Sequence, residues 1–325
     1  MKSLFDENQI NIGVGTWQLG MRGWGKDYSS SDAKEALKFL INNGIKFIDT
    51  AEIYGNGESE KNVGEVLSNT KRDNYYIATK IAGSNFKASK IKAKVEGSLK
   101  RLKLDYIDLY QVHWEPSAYT NLKESFKELE KICKEGLIMH IGVSNFSSKK
   151  IREVSNYLNE YKIESNQIKY NILERPVQEE INYLNENNIK IIAWSPLGQG
   201  FLTGKYIEKK PTGFIRKVNR LFRKESLKKY TPLFDFIKNK SQELNIAPAT
   251  LVLSYEIKKG VIPIPGFKNI KQAEDIVKVL SFSLNDQIVK EIDDLVEPLI
   301  TRYSKMGFYP PLLPNFIVNL IIKGI

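Results

Sequence analysis

Eight short runs rich in β-branched residues alternate with longer amphipathic stretches along almost the whole 325-residue chain, and no Pro/Gly/Ser-rich linker interrupts them. The runs are INIGVG (10–15), IKFIDT (45–50), YYIATK (75–80), YIDLYQVH (106–113), IMHIGVS (138–144), SNQIKYN (165–171), IKIIAWS (189–195) and VIPIPG (261–266). Parallel strands need long crossovers between them, so this alternation is the pattern of βα units. Helical candidates such as SDAKEALKFLINNG fill the gaps, with Ser31 placed to cap its start and Gly44 to take the left-handed turn at its end. Successive strands begin about 25 to 35 residues apart up to the seventh, and about 70 residues then precede the eighth. That interval holds two further helices, one capped by Thr231 with Pro232 in its first position. Length alone would allow two domains of roughly 150 residues each. Eight uninterrupted units read instead as an α/β chain folded into one (β/α)8 TIM barrel over residues 1–299, with a C-terminal tail, 300–325, over or beside the barrel mouth.

Composition narrows the function classes. One cysteine, Cys133, cannot form an internal disulfide or a cysteine-built zinc site, and His113 and His140 are the two histidines left to ligate a metal, so no metal is expected. That cysteine usage suits a reducing, cytoplasmic setting. The start, MKSLFDENQI, carries acidic residues where a signal peptide has an apolar core. The most apolar stretch, FIVNLIIKGI, contains Asn319 and Lys323 and falls short of about 18 apolar residues, so no membrane insertion is expected. Net charge is +11, of which +8 falls in residues 205–230, where ten Lys or Arg face Glu208 and Glu225. One basic segment in a near-neutral chain argues against a general nucleic-acid binder. It leaves a phosphate-bearing ligand, a local docking surface or a solvated loop.

Barrels carry function at the C-terminal ends of their strands, and polar residues collect there: Asp49 after the second run, Lys80 after the third, His113 after the fourth, Ser144 and Asn145 after the fifth, Gln167 on the sixth. Each has a plain structural reading, such as a helix cap for Asp49, an edge-packing ring for Tyr54, a surface lysine for Lys80 or a satisfied core histidine for His113. Together Asp49, Tyr54, Lys80 and His113 suggest a proton donor. A phenol with a reference pKa near 10 gives up its proton reluctantly; the Lys80 ammonium would stabilise the phenolate, Asp49 would hold the lysine, and His113 would orient a carbonyl oxygen. A Schiff-base role for Lys80 is the competing reading. The pair Gly13 and Gly15 is no dinucleotide fingerprint, because position 18 is glutamine.

With these residues in view the chain resembles the aldo-keto reductases. GVGTWQLG (13–20), FIDTAEIYGNGESE (47–60), IATK (77–80), YQVHW (110–114), IGVSNF (141–146), SNQIKYN (165–171), AWSPLGQGFLTGKY (193–206) and VIPIPGFKN (261–269) are similar to that family's motifs, in order and over nearly the whole chain. The resemblance implies NADPH bound in an extended pose, reduction of an aldehyde or ketone by hydride transfer in an ordered two-substrate route, and Tyr54 as proton donor in a tetrad with Asp49, Lys80 and His113. It implies Thr16 and Trp17 near the nicotinamide, Ser144, Asn145 and Gln167 on the carboxamide, and Trp194 stacked on the ring. Ser195, Pro196, Leu197, Gly198, Gly200 and Leu202 would form the loop across the pyrophosphate. Gly266, Lys268 and Gln272 would form the adenosine-phosphate site, with Lys268 against the 2′-phosphate. A regulatory subunit that holds NADPH and turns over slowly is the alternative on this scaffold.

The chain departs from the family in a short segment before the first strand, in Asp275-Ile276 near the adenine site and in Glu115 after HW; His140 is read as structural. The substrate pocket is expected between Trp24 and Tyr28 of the first loop, Tyr54, Trp114 and the tail, including Tyr309, and its aromatic walls suit a small carbonyl compound with an apolar body. The expected partner is that substrate, and homo-oligomerisation is left open. Among Pro310, Pro311 and Pro314 the tail also offers Tyr303, Met306, Phe308, Leu312, Leu313 and Phe316, too apolar to lie in water.

Overall fold

The computed structural model describes residues 3–20, 28–207, 216 and 219–303. Eight parallel strands form the barrel: β1 (Gly13–Gly15), β2 (Phe47–Asp49), β3 (Tyr76–Ile81), β4 (Ile107–Val112), β5 (Ile138–Ser144), β6 (Ile163–Lys169), β8 (Lys190–Trp194) and β9 (Ile262–Pro263). They are ordered β1-β2-β3-β4-β5-β6-β8-β9, and a parallel bridge from Gly15 to Gly266 closes the ring. The expected (β/α)8 barrel and its eight strands are borne out. The last strand is far shorter than its sequence run because Pro263 and Pro265 have no N–H to give a ladder. At the closing seam it is Pro265 that accepts, from the Gly15 N–H at 3.0 Å.

Alternation explains both surfaces of the barrel wall. One set, Ile48, Ile77, Ile81, Tyr110, Val112, Ile141, Val143, Ile191 and Ala193, faces the helices in the main core. The other set begins with a separate apolar cluster in the lumen, Phe47, Ala78, Leu109, Ile192 and Ile262. Leu4, Phe5 and Ile10 close this cluster from the N-terminal side, with the Phe5 ring edge-on to Phe47 at 5.5 Å. The short segment before β1 therefore fills the floor, and His140 belongs to the same end. Its Nδ1 lies 2.6 Å from Glu164, whose other oxygen accepts the Leu4 N–H at 3.0 Å. Two residues further along the strands the lumen turns polar, with Asp49, Lys80, Gln111 and Gln167 all buried.

Two expected caps are different in the structure. Helix Ser30–Asn42 is capped by Ser29, not Ser31: the Ser29 hydroxyl accepts the Asp32 N–H and the Asp32 carboxylate accepts the Ser29 N–H. Ser29 alone has the extended backbone a cap requires, whereas Ser31 is already helical. Thr231 does not cap helix Thr231–Glu243; its hydroxyl donates to Leu227 O at 3.1 Å, since helix Lys224–Lys229 runs into it almost without a break. A further pair went unforeseen in sequence: β7 (Glu174–Pro176) and β10 (Thr301–Tyr303) form a separate parallel ladder. This brings Tyr303 to the rim, where its hydroxyl donates to Lys169 O at the C-terminal end of β6. The rest of the tail, with Tyr309, lies outside the described residues, as do Trp24 and much of the basic segment. Among the described residues no helix is long and apolar enough to cross a membrane.

One buried group sets a pH dependence of stability. Glu256, on helix Pro248–Lys258, is fully buried, and neither carboxyl oxygen has a hydrogen-bond partner among the described residues. Burial pushes this carboxyl well above the usual range, against a smaller opposing pull from Arg175. The folded chain therefore keeps a proton that the unfolded chain releases. Stability falls by up to about 1.4 kcal/mol per pH unit between the unfolded and the folded pKa. Glu256→Leu should raise the unfolding temperature at pH 8 and change it much less at pH 4.5. Equal shifts at both pH values in thermal unfolding would count against a protonated Glu256.

Candidate active site

The end of β2 delivers Asp49, the end of β3 Lys80, and the residue after β4 His113; Tyr54 comes from the turn that follows β2. The Lys80 Nζ lies 2.6 Å from Asp49 Oδ2, 2.7 Å from Thr50 O and 3.3 Å from the Tyr54 hydroxyl. Asp49 Oδ1 accepts from Gln167 Nε2 at 2.7 Å and from Gln111 Nε2 at 3.1 Å. Both oxygens of this buried carboxylate are thus occupied, which removes the cost of an unpaired charge. Gln111 was not singled out in the sequence, although period-two alternation places it on the same face as His113 in YQVH.

The Tyr54 ring stacks on Trp17 at 5.5 Å and meets the His113 ring edge-on at 5.6 Å. Burial pushes the Tyr54 phenol up, and the nearby ammonium of Lys80 pulls it back only in part. For Lys80 burial opposes the charge, but Asp49 and then Tyr54 outweigh it and the group stays an ammonium. Burial, helped by Lys80, pushes His113 well below its usual value, which keeps the imidazole neutral. Its Nδ1 is buried and has no hydrogen-bond partner among the described residues.

These groups border a cavity of about 570 Å³ that extends from Tyr54, His113 and Trp114 past Trp194 and Leu197 to Lys268, Lys271 and Gln272. Along it the Ser144 hydroxyl donates to Gln167 O at 2.8 Å, Asn145 Nδ2 donates to His113 O at 3.2 Å, and Trp194 Nε1 donates to Asn145 Oδ1 at 3.0 Å. Asn145 sits at φ 57° and Ser195 at φ 60°, left-handed positions that turn the chain across the strand ends. Ser195, Pro196, Gly200 and Gly266 also line the cavity. Lys205 and Arg216 of the basic segment reach it as well, Arg216 with its Nε donating to Gln199 O at 3.1 Å.

Three expected cofactor residues do not line the cavity. Thr16 is fully buried and its hydroxyl is engaged by Asp49 O and Ser59 Oγ, each at 2.9 Å. Leu202 is in the core formed by Phe201 and Phe234, and Gly198 stays behind the surface that Leu197, Gln199 and Gly200 present. Tyr28, expected at the substrate pocket, instead stands with its ring 4.5 Å from the Lys268 ammonium.

A model of the aldo/keto reductase family matches residues 11–297. The chain belongs to that family. Aldo-keto reductase yakc [NADP(+)] of Schizosaccharomyces pombe is 32% identical over 315 residues, covering 88% of this chain and 92% of the relative. The NADH-specific methylglyoxal reductase of Escherichia coli is 28% identical, covering 89% and 95%. Among solved structures, an aldo-keto reductase from Klebsiella pneumoniae in complex with NADPH superposes with a TM-score of 0.75 at 25% identity, over 92% of this chain and 95% of that one. As an aldo/keto reductase the chain is an oxidoreductase of carbonyl compounds, and the polar ring of Asp49, Lys80, Tyr54 and His113 stands at the strand ends, where a barrel presents its chemistry.

Proposed function

We propose that this aldo/keto reductase reduces an aldehyde or ketone to the alcohol with NADPH, and that Tyr54 gives the proton to the carbonyl oxygen. The observation that carries the reading is the Tyr54 hydroxyl 3.3 Å from an ammonium fixed by a buried carboxylate, at one end of the cavity. A phosphorylated dinucleotide suits that cavity. Its far end is basic at Lys205, Arg216, Lys268 and Lys271. It also borders two buried acceptors without partners among the described residues, Gln18 Oε1 and Ser195 Oγ. Asn145 and Trp194 would hold the nicotinamide end, the backbone of Leu197 and Gly200 the pyrophosphate, and Lys268 and Gln272 the adenosine phosphate. NADPH, when bound, supplies the hydride for the carbonyl carbon. Tyr54, a neutral phenol, holds the proton until negative charge grows on the carbonyl oxygen. Lys80 then stabilises the phenolate left behind, and Asp49 keeps Lys80 in place. His113, neutral, offers a hydrogen bond to the same oxygen without competing as an acid.

Trp17, Ile53 and Trp114 wall the Tyr54 end, which favours a carbonyl compound with an apolar body. A panel of carbonyls assayed by loss of NADPH absorbance tests the proposal, with aryl aldehydes expected to be turned over faster than open-chain sugars. Tight NADPH binding with no turnover of any member would make the chain a binding protein instead. The pH profile is a separate check. Because the phenol lies above its ordinary value of 10.0 and His113 does not titrate near neutrality, kcat/KM should stay level from about pH 6 to about pH 9 and fall only above. An acidic limb between about pH 6 and 7 would show that His113 changes its charge in the working range.

A further inference from the structure

At the basic end of the cavity Lys268 is not an ordinary surface lysine. It is 5% exposed, and its ammonium lies 4.5 Å from the centre of the Tyr28 ring. The ring is itself anchored, since the Tyr28 hydroxyl donates to Gln18 O at 2.7 Å. Gln18 in turn lies flush on Gly266, where an added Cβ would come within 2.1 Å of its Nε2. The Lys268 backbone is fixed from the other side, its N–H donating to Gln272 Oε1 at 3.0 Å, while Asn269 caps helix Ile270–Val277. A lysine on a flexible four-carbon stem ordinarily loses side-chain freedom when it binds a phosphate. Here contact with the aromatic face holds the ammonium before any ligand arrives, which lowers that cost.

We propose that Tyr28 is a specificity-determining residue: its ring holds the Lys268 ammonium in place for the 2′-phosphate of NADPH and so sets the preference for NADPH over NADH. This rests on the reading of Lys268 as the 2′-phosphate ligand. It makes the β1 side of the barrel, through Gln18 and Tyr28, part of a recognition site otherwise built after β9. Tyr28 would act through Lys268, as a positioning residue, without touching the phosphate.

The test is the dissociation constants of NADPH and NADH, by fluorescence titration, for the wild type, Tyr28→Leu, Tyr28→Phe, Lys268→Ala and the Tyr28→Leu/Lys268→Ala double variant. Tyr28→Leu should weaken NADPH about five- to tenfold and NADH less than about twofold. Tyr28→Phe keeps the ring and should cost NADPH less than about threefold. In the Lys268→Ala background Tyr28→Leu should add nothing, because its effect passes through the ammonium. If Lys268→Ala alters the NADPH to NADH ratio and Tyr28→Leu does not, the role of Tyr28 is overturned and that of Lys268 survives. If Lys268→Ala leaves the ratio unchanged, both fall together. A loss that is equal for the two cofactors, or that persists in the double variant, also rejects Tyr28 as a specificity residue.

Discussion

Tyr54→Phe lowers kcat/KM for carbonyl reduction by about 10³-fold and leaves the NADPH dissociation constant within about twofold of wild type, on the proposed mechanism. The asymmetry follows from where the hydroxyl sits. Removing it keeps the ring that stacks on Trp17 at 5.5 Å and meets His113 at 5.6 Å, so the wall of the cavity survives. What disappears is the O–H 3.3 Å from the Lys80 ammonium. Lys80 retains Asp49 and Thr50 O, and therefore keeps its charge and position. His113 is no substitute acid, because it is neutral with a strongly depressed pKa. Steady-state rates and a cofactor titration on the same preparation separate the two terms. A variant that kept more than about a tenth of the rate would show that another group delivers the proton.

How far this site was legible in sequence depends on the kind of physics involved. The strands were readable because alternation and β-branched composition act locally, and strand ends fix where Asp49, Lys80 and His113 emerge. The floor was harder, since Leu4, Phe5 and Ile10 find Phe47 and Leu109 only through the closed ring. Direction of titration was not readable at all. A lysine beside a tyrosine suggests a lowered phenol, but burial depends on every element around the pair and here it outweighs the ammonium. Thr16 shows the same limit on a smaller scale. Its motif places it at the end of β1, yet its side chain turns into the wall because Ser59, on the helix after β2, offers a partner 43 residues away. Its place in the first loop suggests the substrate side for Tyr28, and only the folded chain brings its ring to Lys268, 240 residues away in sequence.

The turn that carries Tyr54 supports a second large effect, in which no chemical group is lost. Gly55, Asn56 and Gly57 follow one another at φ 59°, 56° and 89°, three left-handed residues in a row. At Gly55 this conformation coincides with backbone contact: an added Cβ would lie 2.5 Å from Gly20 O and 2.9 Å from Gly20 Cα. Neither atom is the end of a side chain that can swing away, so Gly55→Ala must push the turn off the segment after β1. The far side of the turn cannot follow. Ser59 is held to Thr16 O at 2.7 Å, and Glu60, fully buried, takes Thr79 Oγ1 at 2.7 Å and Arg101 Nε at 2.6 Å. Displacement therefore concentrates at Tyr54, whose 3.3 Å contact with Lys80 has no slack. A shift of about 1 Å is enough to cost about 10² in rate, and strain with overpacking should lower stability by about 2 kcal/mol. Asn56→Gly is the matched control, since it relieves a left-handed residue without adding an atom and should leave kcat within about twofold. Rates measured well below the unfolding temperature of each variant distinguish a misplaced phenol from a smaller folded fraction. If folded Gly55→Ala kept more than about a third of wild-type kcat, the distance between Tyr54 and Lys80 would not be what limits proton transfer.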